Sequence, residues 1–195
     1  MKKKTDTVYL FVDGTNLYAG QYELFGPEKY LDFGKFIVIV EKHLSIRFKK
    51  IYFYASYSPR PKVPTRKQIA YLRNEALFYR SVRKTKHVIF STGHRSPTSG
   101  KEKGIDMHLG IDMVKYGFLR QYSVAYLITG DADLIYAVET VKELSIPVHA
   151  IFLPNRFSII LSYNVQSSIV MNYKKKFPEI PMRLPKTLRV INVTR

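Results

Sequence analysis

Five short runs of β-branched and aromatic residues, with stretches of helical periodicity between them, constrain the fold of this chain more than any other feature. The runs are Val8–Val12, Lys50–Ala55, Val88–Phe90, Val124–Thr129 and Val148–Leu153. Most are continuously apolar rather than alternating, the pattern of strands covered on both faces, as in a parallel sheet. Helical patterns occupy Asp32–Leu44, Thr65–Val82, Ile105–Leu119 and Ala132–Leu144. In the last of these, Leu134, Ala137, Val138, Val141 and Leu144 fall at i, i+3, i+4, i+7 and i+10, one apolar stripe for a sheet to cover. Strand and helix in alternation predict an α/β domain with right-handed crossovers.

At 195 residues, 46% of them hydrophobic, the chain is long enough for one ordinary core. We expect a single domain over 1–173 and a tail over 174–195. The tail carries Lys174–Lys176 and three prolines, with seven Lys and Arg against the single acid Glu179, and is expected to be a basic appendage rather than a core element. Between the third strand and the next helix, Ser91–Lys103 contains Gly93, Pro97 and Gly100 and predicts a long exposed loop. Cysteine is absent, which excludes disulfides, thiolate zinc, iron–sulfur clusters and a cysteine nucleophile, and agrees with an expected cytoplasmic location. No apolar run approaches the roughly 20 residues of a membrane span, so no membrane partner is expected, and the run after Met1 is too short for a signal-peptide core.

Charge points to a different partner. Thirty-two Lys and Arg against 15 Asp and Glu leave +17, more than solubility asks of a small domain, and a polyanion is the expected ligand. The few acids nevertheless occupy special places. Asp13 directly follows the first strand, Asp131 follows the strand Val124–Thr129, Asp133 is two residues on, and Asp106 opens the helix after the long loop. Ligands of open α/β sheets bind outside the carboxyl ends of the strands, so all four carboxylates are expected in one crevice.

Such a cluster in a basic protein is costly unless something offsets it. A divalent cation does so, and an oxygen-only donor set with no His-x-x-x-His spacing favours Mg²⁺ or Mn²⁺ over zinc. A carboxylate-held metal inside a positive field suits phosphodiester cleavage by water. Each acid also has a simpler reading. Asp133 and Asp106 suit the first turn of a helix, Asp13 suits an Asx-turn before Gly14-Thr15-Asn16, and Asn16 suits a helix cap as well as a group that orients a carboxylate. Asp112, about 120° round its helix from Asp106, is expected to be mainly structural. The five histidines are scattered without ligand spacing, and only His94, in the basic loop, stays in view.

Phe11-Val-Asp13-Gly-Thr-Asn16-Leu17, Lys103-Gly-Ile-Asp106 and Thr129-Gly-Asp131-Ala-Asp133-Leu134 resemble, in order and spacing, the acidic motifs of the NYN domain, a branch of the PIN-like nuclease superfamily, and most nearly its LabA-like members. The resemblance covers Val8 to Leu161. It implies a three-layer α/β/α sandwich with a central parallel sheet ordered 3-2-1-4-5 and a Mg²⁺- or Mn²⁺-dependent ribonuclease site at the strand carboxyl edge. Asp13, Asp106, Asp131 and Asp133 would then be the metal-site acids, Asn16 the accompanying polar residue, and Thr129 a hydroxyl that orients an acid or meets phosphate. Asn155–Asn172 is expected to be helical.

Two look-alikes fail on single residues. Asp13-Gly-Thr15 imitates part of a haloacid-dehalogenase-like motif, but Phe11 stands where that chemistry needs its nucleophilic aspartate. A dinucleotide-binding turn would not put a carboxylate where the pyrophosphate sits. The serious rival is a non-catalytic RNA- or DNA-binding regulator on the same scaffold. Basic clusters at Arg47/Lys49/Lys50, Arg80/Arg83/Lys84/Lys86, Arg95/Lys101/Lys103 and Lys174–Lys176 suffice for phosphates, and aromatic residues can stack single-stranded bases, although most, such as Tyr52 and Phe53, are expected in the core. Carboxylates repel phosphates, which favours the metal-dependent ribonuclease. Its expected partner is RNA, single-stranded by preference, gripped by Arg95, Lys101 and Lys103; a homo-oligomer is compatible with the chain.

Overall fold

In the computed structural model, which describes residues 6–95, 102–172 and 188–192, the five apolar runs are parallel strands of one sheet. They are β1 (Val8–Asp13), β2 (Phe48–Ala55), β3 (Val88–Thr92), β6 (Val124–Ile128) and β7 (Val148–Phe152). Helices α1 (Gly14–Phe25), α2 (Phe33–Leu44), α3 (Arg66–Lys84), α4 (Ile105–Phe118), α5 (Ile135–Glu143) and α6 (Ile159–Asn164) connect them. Two further strands, β8 (Ser167–Asn172) and β9 (Leu188–Asn192), complete the order β3-β2-β1-β6-β7-β8-β9, parallel throughout. Its first five positions reproduce the expected 3-2-1-4-5.

Both faces of the sheet are covered, which is why its strands are continuously apolar. Along β1, Val8, Leu10 and Val12 enter one core with Leu17, Tyr18, Phe33, Phe36 and Phe78 of α1–α3. Tyr9 and Phe11 enter the other with Leu109, Met113, Val138, Val141 and Leu161 of α4–α6. The period-2 alternation of the strand therefore sorts residues between two apolar layers, not between core and water. Aromatic rings fill much of both layers, with Phe11 and Tyr52 stacked at 5.5 Å on one side and Phe33 edge-on to Phe53 at 5.3 Å on the other. Tyr52 and Phe53 are thus core residues, as expected.

Four local expectations change. Helix α1 starts at Gly14, directly after the strand, instead of after Asn16, because Asp13 itself is the N-cap and accepts the Asn16 N–H. The stem of the long loop is ordered by antiparallel pairs between β4 (His94–Arg95) and β5 (Glu102–Lys103). The expected helix over 155–172 stops at Asn164, where Val165 turns extended (φ −98°, ψ 161°), and Ser168–Met171 forms a buried strand. A fully buried apolar run has no period by which to tell strand from helix. Finally, the tail is not wholly an appendage, since Leu188–Asn192 pairs with β8 and occupies what would be its open edge. Lys174–Lys176 and Lys101 lie outside the described residues. Among the described residues no helix is long and apolar enough to cross a membrane.

Candidate active site at the carboxyl edge of the sheet

The end of β1 and the end of β6 are adjacent, and the site is built on that adjacency. Register pairs Val12 with Ile128, so Asp13 and Thr129 emerge side by side. Asp13 is 3% exposed and Thr129 1% exposed. Thr129 Oγ1 donates to Asp13 Oδ2 at 2.9 Å and accepts the Asp131 N–H at 3.0 Å. The other Asp13 oxygen accepts the Asn16 N–H at 2.9 Å, and Asn16 Oδ1 accepts the Gly130 N–H at 3.0 Å. Asn16, in the first turn of α1, therefore ties that helix to the loop after β6.

Capping explains part of the local order. Asp131 Oδ1 accepts the Asp133 N–H at 3.0 Å and caps the single 3₁₀ turn Ala132–Leu134 that leads into α5. The cap considered for Asp133 thus belongs to Asp131, and Asp133 is left exposed in the first turn. A cap of this kind contributes about 1 kcal/mol, and only one oxygen of each carboxylate is needed for it. Asp106 is exposed in the first turn of α4, whose N-cap Gly104 has φ 81°, a left-handed conformation that explains the glycine of Lys103-Gly-Ile-Asp106. Asp106 and Asp133 border the same groove between α4 and α5.

Electrostatics couple three of these acids, Asp13, Asp106 and Asp131. Burial pushes the Asp13 carboxyl up, and the Asn16 N–H and the Thr129 hydroxyl pull it down. The charges of Asp106 and Asp131 push it up again, leaving it at about 6. A carboxyl shifted in this way by burial and by neighbouring charge, at the ligand-binding edge of an α/β sheet, marks a candidate functional site. Asp112 stands apart: it accepts the Tyr54 hydroxyl at 2.9 Å.

One contributor carried no sequence signal beyond its position after β7. Arg156 packs its backbone on Gly130, where an added Cβ would meet the Arg156 carbonyl oxygen at 2.7 Å, and its guanidinium pairs with Glu23 of α1. Close approach, not turn geometry, is what requires glycine at 130. Asn155 donates to the Gly20 carbonyl and to Glu23 beside it. Arg95 and Lys103 lie on β4 and β5, the paired strands just before α4.

The donors assembled here are carboxylate, amide and hydroxyl oxygens. That set fits a hard, hydrated divalent cation such as Mg²⁺ or Mn²⁺, and the repulsion that Asp106 and Asp131 exert on Asp13 is what such an ion would offset. Among the described residues no three acidic or histidine side chains are already arranged to hold a metal ion. The fit is therefore one of donor chemistry and charge, with water completing the shell, as Mg²⁺ usually keeps several waters.

The family model of the NYN domain matches residues 7–172. Among solved structures the chain is similar to a protein of unknown function from Vibrio parahaemolyticus, with 16% identity over 91% of this chain and 99% of that one and a TM-score of 0.61. That likeness is one of fold. The curated proteins contain no match to the chain.

Proposed function

The chain belongs to the NYN domain family, a nuclease-like domain, and from that premise we propose that it is a ribonuclease that hydrolyses phosphodiester bonds endonucleolytically with Mg²⁺ or Mn²⁺. The observation that carries the reading is Asp13: a nearly buried carboxyl at the carboxyl edge of the sheet, pushed up to about 6 by burial and by two further aspartates. A protein selected only to bind a polyanion would gain nothing from that arrangement.

Asp13, Asp106 and Asp131 would hold the metal, directly or through water, with Asp133 as a fourth ligand or as the group that orients the attacking water. The bound ion would supply charge for the phosphate and a lowered pKa for its water. The chain's own residues do the positioning. Thr129 fixes the Asp13 carboxylate and the Asp131 backbone with one hydroxyl, and Asn16 holds the loop between them. Arg95, Lys101 and Lys103 would grip the substrate backbone beside Asp106. Water adds to phosphorus, the bridging oxygen leaves with a proton, and no covalent enzyme intermediate is needed. The preference for RNA, single-stranded, and a cytoplasmic setting complete the proposal.

The test is cleavage of labelled single-stranded RNA and matched DNA by wild type and by an Asp13→Asn/Asp131→Asn variant, in Mn²⁺, Mg²⁺ or EDTA. Activity that requires both metal and acids supports the proposal, and the two polymers reveal the preference. Wild type that binds RNA but cuts nothing, with the variant binding as well or better, would replace it with the regulator reading.

A further inference from the structure

Two basic segments far apart in sequence meet on one groove, at the opposite end of the strands from Asp13. The groove lies between α2 and α3, encloses about 790 Å³, and takes Arg47 from the approach to β2 and Arg80, Lys84, Lys86 and His87 from the end of α3 and the turn after it. Phe48, the first residue of β2, lines it and sits level with Val8 in the sheet, whereas Asp13 is level with Tyr54. Five residues of strand separate the two levels, about 16 Å at roughly 3.3 Å per residue.

The fold splits each sequence cluster by use. Lys50 turns to the other face, its Nζ 5.6 Å from the Tyr9 ring, and Arg83 stacks on Phe90 at 4.2 Å. Those two cations serve packing. Arg80, Lys84 and Lys86 are exposed, and none forms an ion pair among the described residues. The two acids of the groove are already engaged. Glu41 pairs with Arg47 at 2.6 Å and accepts the Phe48 N–H, and Asp32 caps α2 through the Lys35 N–H. Four cations less two acids leave +2 facing the groove. A basic last turn complementing the dipole of α3 accounts for Lys84, but not for Arg47 or Lys86, which lie outside that helix.

We propose that this groove is a second contact for the phosphate backbone of the RNA, remote from the carboxylates. The inference rests on the ribonuclease reading. Its cations are exposed and spread along an open groove, with no buried polar anchor at one point, which suits a chain of phosphates better than a single small phosphorylated ligand. Substrates long enough to reach both edges of the sheet are then held at two places, and short ones only by the cations proposed for the carboxylate edge.

The experiment is binding of single-stranded RNA of about 6 and about 20 nucleotides, lengths that bracket common single-strand footprints, by the full chain in EDTA across a salt series. Wild type is expected to bind the longer RNA more tightly. Arg80→Gln/Lys84→Gln should lower affinity for it about tenfold and reduce the salt slope by about 1.4, two contacts at about 0.7 each for single strands, while leaving the short RNA unchanged. Lys62→Gln/Lys67→Gln removes the same charge from exposed positions outside the groove and should do much less. Equal losses from the two double variants, or equal affinity for the two lengths in wild type, would overturn the groove while short-RNA binding leaves the ribonuclease reading standing. Failure to bind RNA of either length would overturn the groove, and metal-dependent cleavage then decides the ribonuclease reading by itself.

Discussion

Thr129 and Asp13 are 116 positions apart in sequence and share a hydrogen bond of 2.9 Å in which the threonine hydroxyl donates. The same hydroxyl accepts the Asp131 N–H, so one buried oxygen sets the spacing between two of the site's acids. Thr129→Val should leave a buried carboxylate and a backbone N–H each one partner short, at a cost of about 2 kcal/mol. Because that hydroxyl lowers the Asp13 pKa, its loss should also move the acid limb of the cleavage profile to higher pH. Thr129→Ser should restore both, and a profile unmoved in the valine variant would dismiss the positioning role.

Asp13 makes stability depend on pH with a definite sign. Its folded pKa of about 6 lies above the ordinary 3.8, so between those values the native state holds a proton that the unfolded state has released. The contribution is favourable below about pH 4 and is lost as pH rises through about 6. Asp13→Asn should therefore raise thermal stability at pH 7.5 by up to about 3 kcal/mol, a gain that shrinks toward pH 4. Mg²⁺ or Mn²⁺ should raise the melting temperature of wild type and not of the variant. Melting curves at both pH values, with and without metal, measure this.

Gly130→Ala tests the contact that holds the Gly-Asp-Ala-Asp loop. With the added Cβ 2.7 Å from the Arg156 carbonyl oxygen, backbone must move on one side or the other. Overpacking of this sort costs about 1–3 kcal/mol, and the displaced Asp131 should lower metal-dependent cleavage by much more than the melting temperature alone implies. A variant that cuts normally would show that the loop tolerates the shift.

Asp106 and Asp112 are six residues apart on α4 and should separate cleanly. Asp106→Asn is expected to abolish cleavage, because Asp106 is one of the two charges acting on Asp13. Asp112→Asn and Tyr54→Phe remove or weaken a hydrogen bond beneath the second core, and should cost about 1 kcal/mol of stability with activity retained. Loss of activity in Asp112→Asn with an intact fold would reverse the assignment.

Local patterns in the chain already contained five strands, four helices and the placement of Asp13, Asp106, Asp131 and Asp133 at element ends, because hydrophobic period and strand ends are properties of neighbouring residues. The same locality explains what they lacked. Ser168–Met171 is buried on both faces and has no helical or strand period of its own, and Leu188–Asn192 becomes a strand through pairing with it. Which aspartate caps and which stays exposed, that Thr129 rather than a neighbour holds Asp13, that Arg156 packs on Gly130, and that Arg47 shares a groove with Arg80 and Lys84 while Lys50 and Arg83 turn away to aromatic rings all depend on register and packing between segments dozens of residues apart. The amino-acid sequence alone determined the class of fold and the kinds of donor available. Tertiary structure decided their partners, since burial, charge coupling and hydrogen bonds act through space and not along the chain.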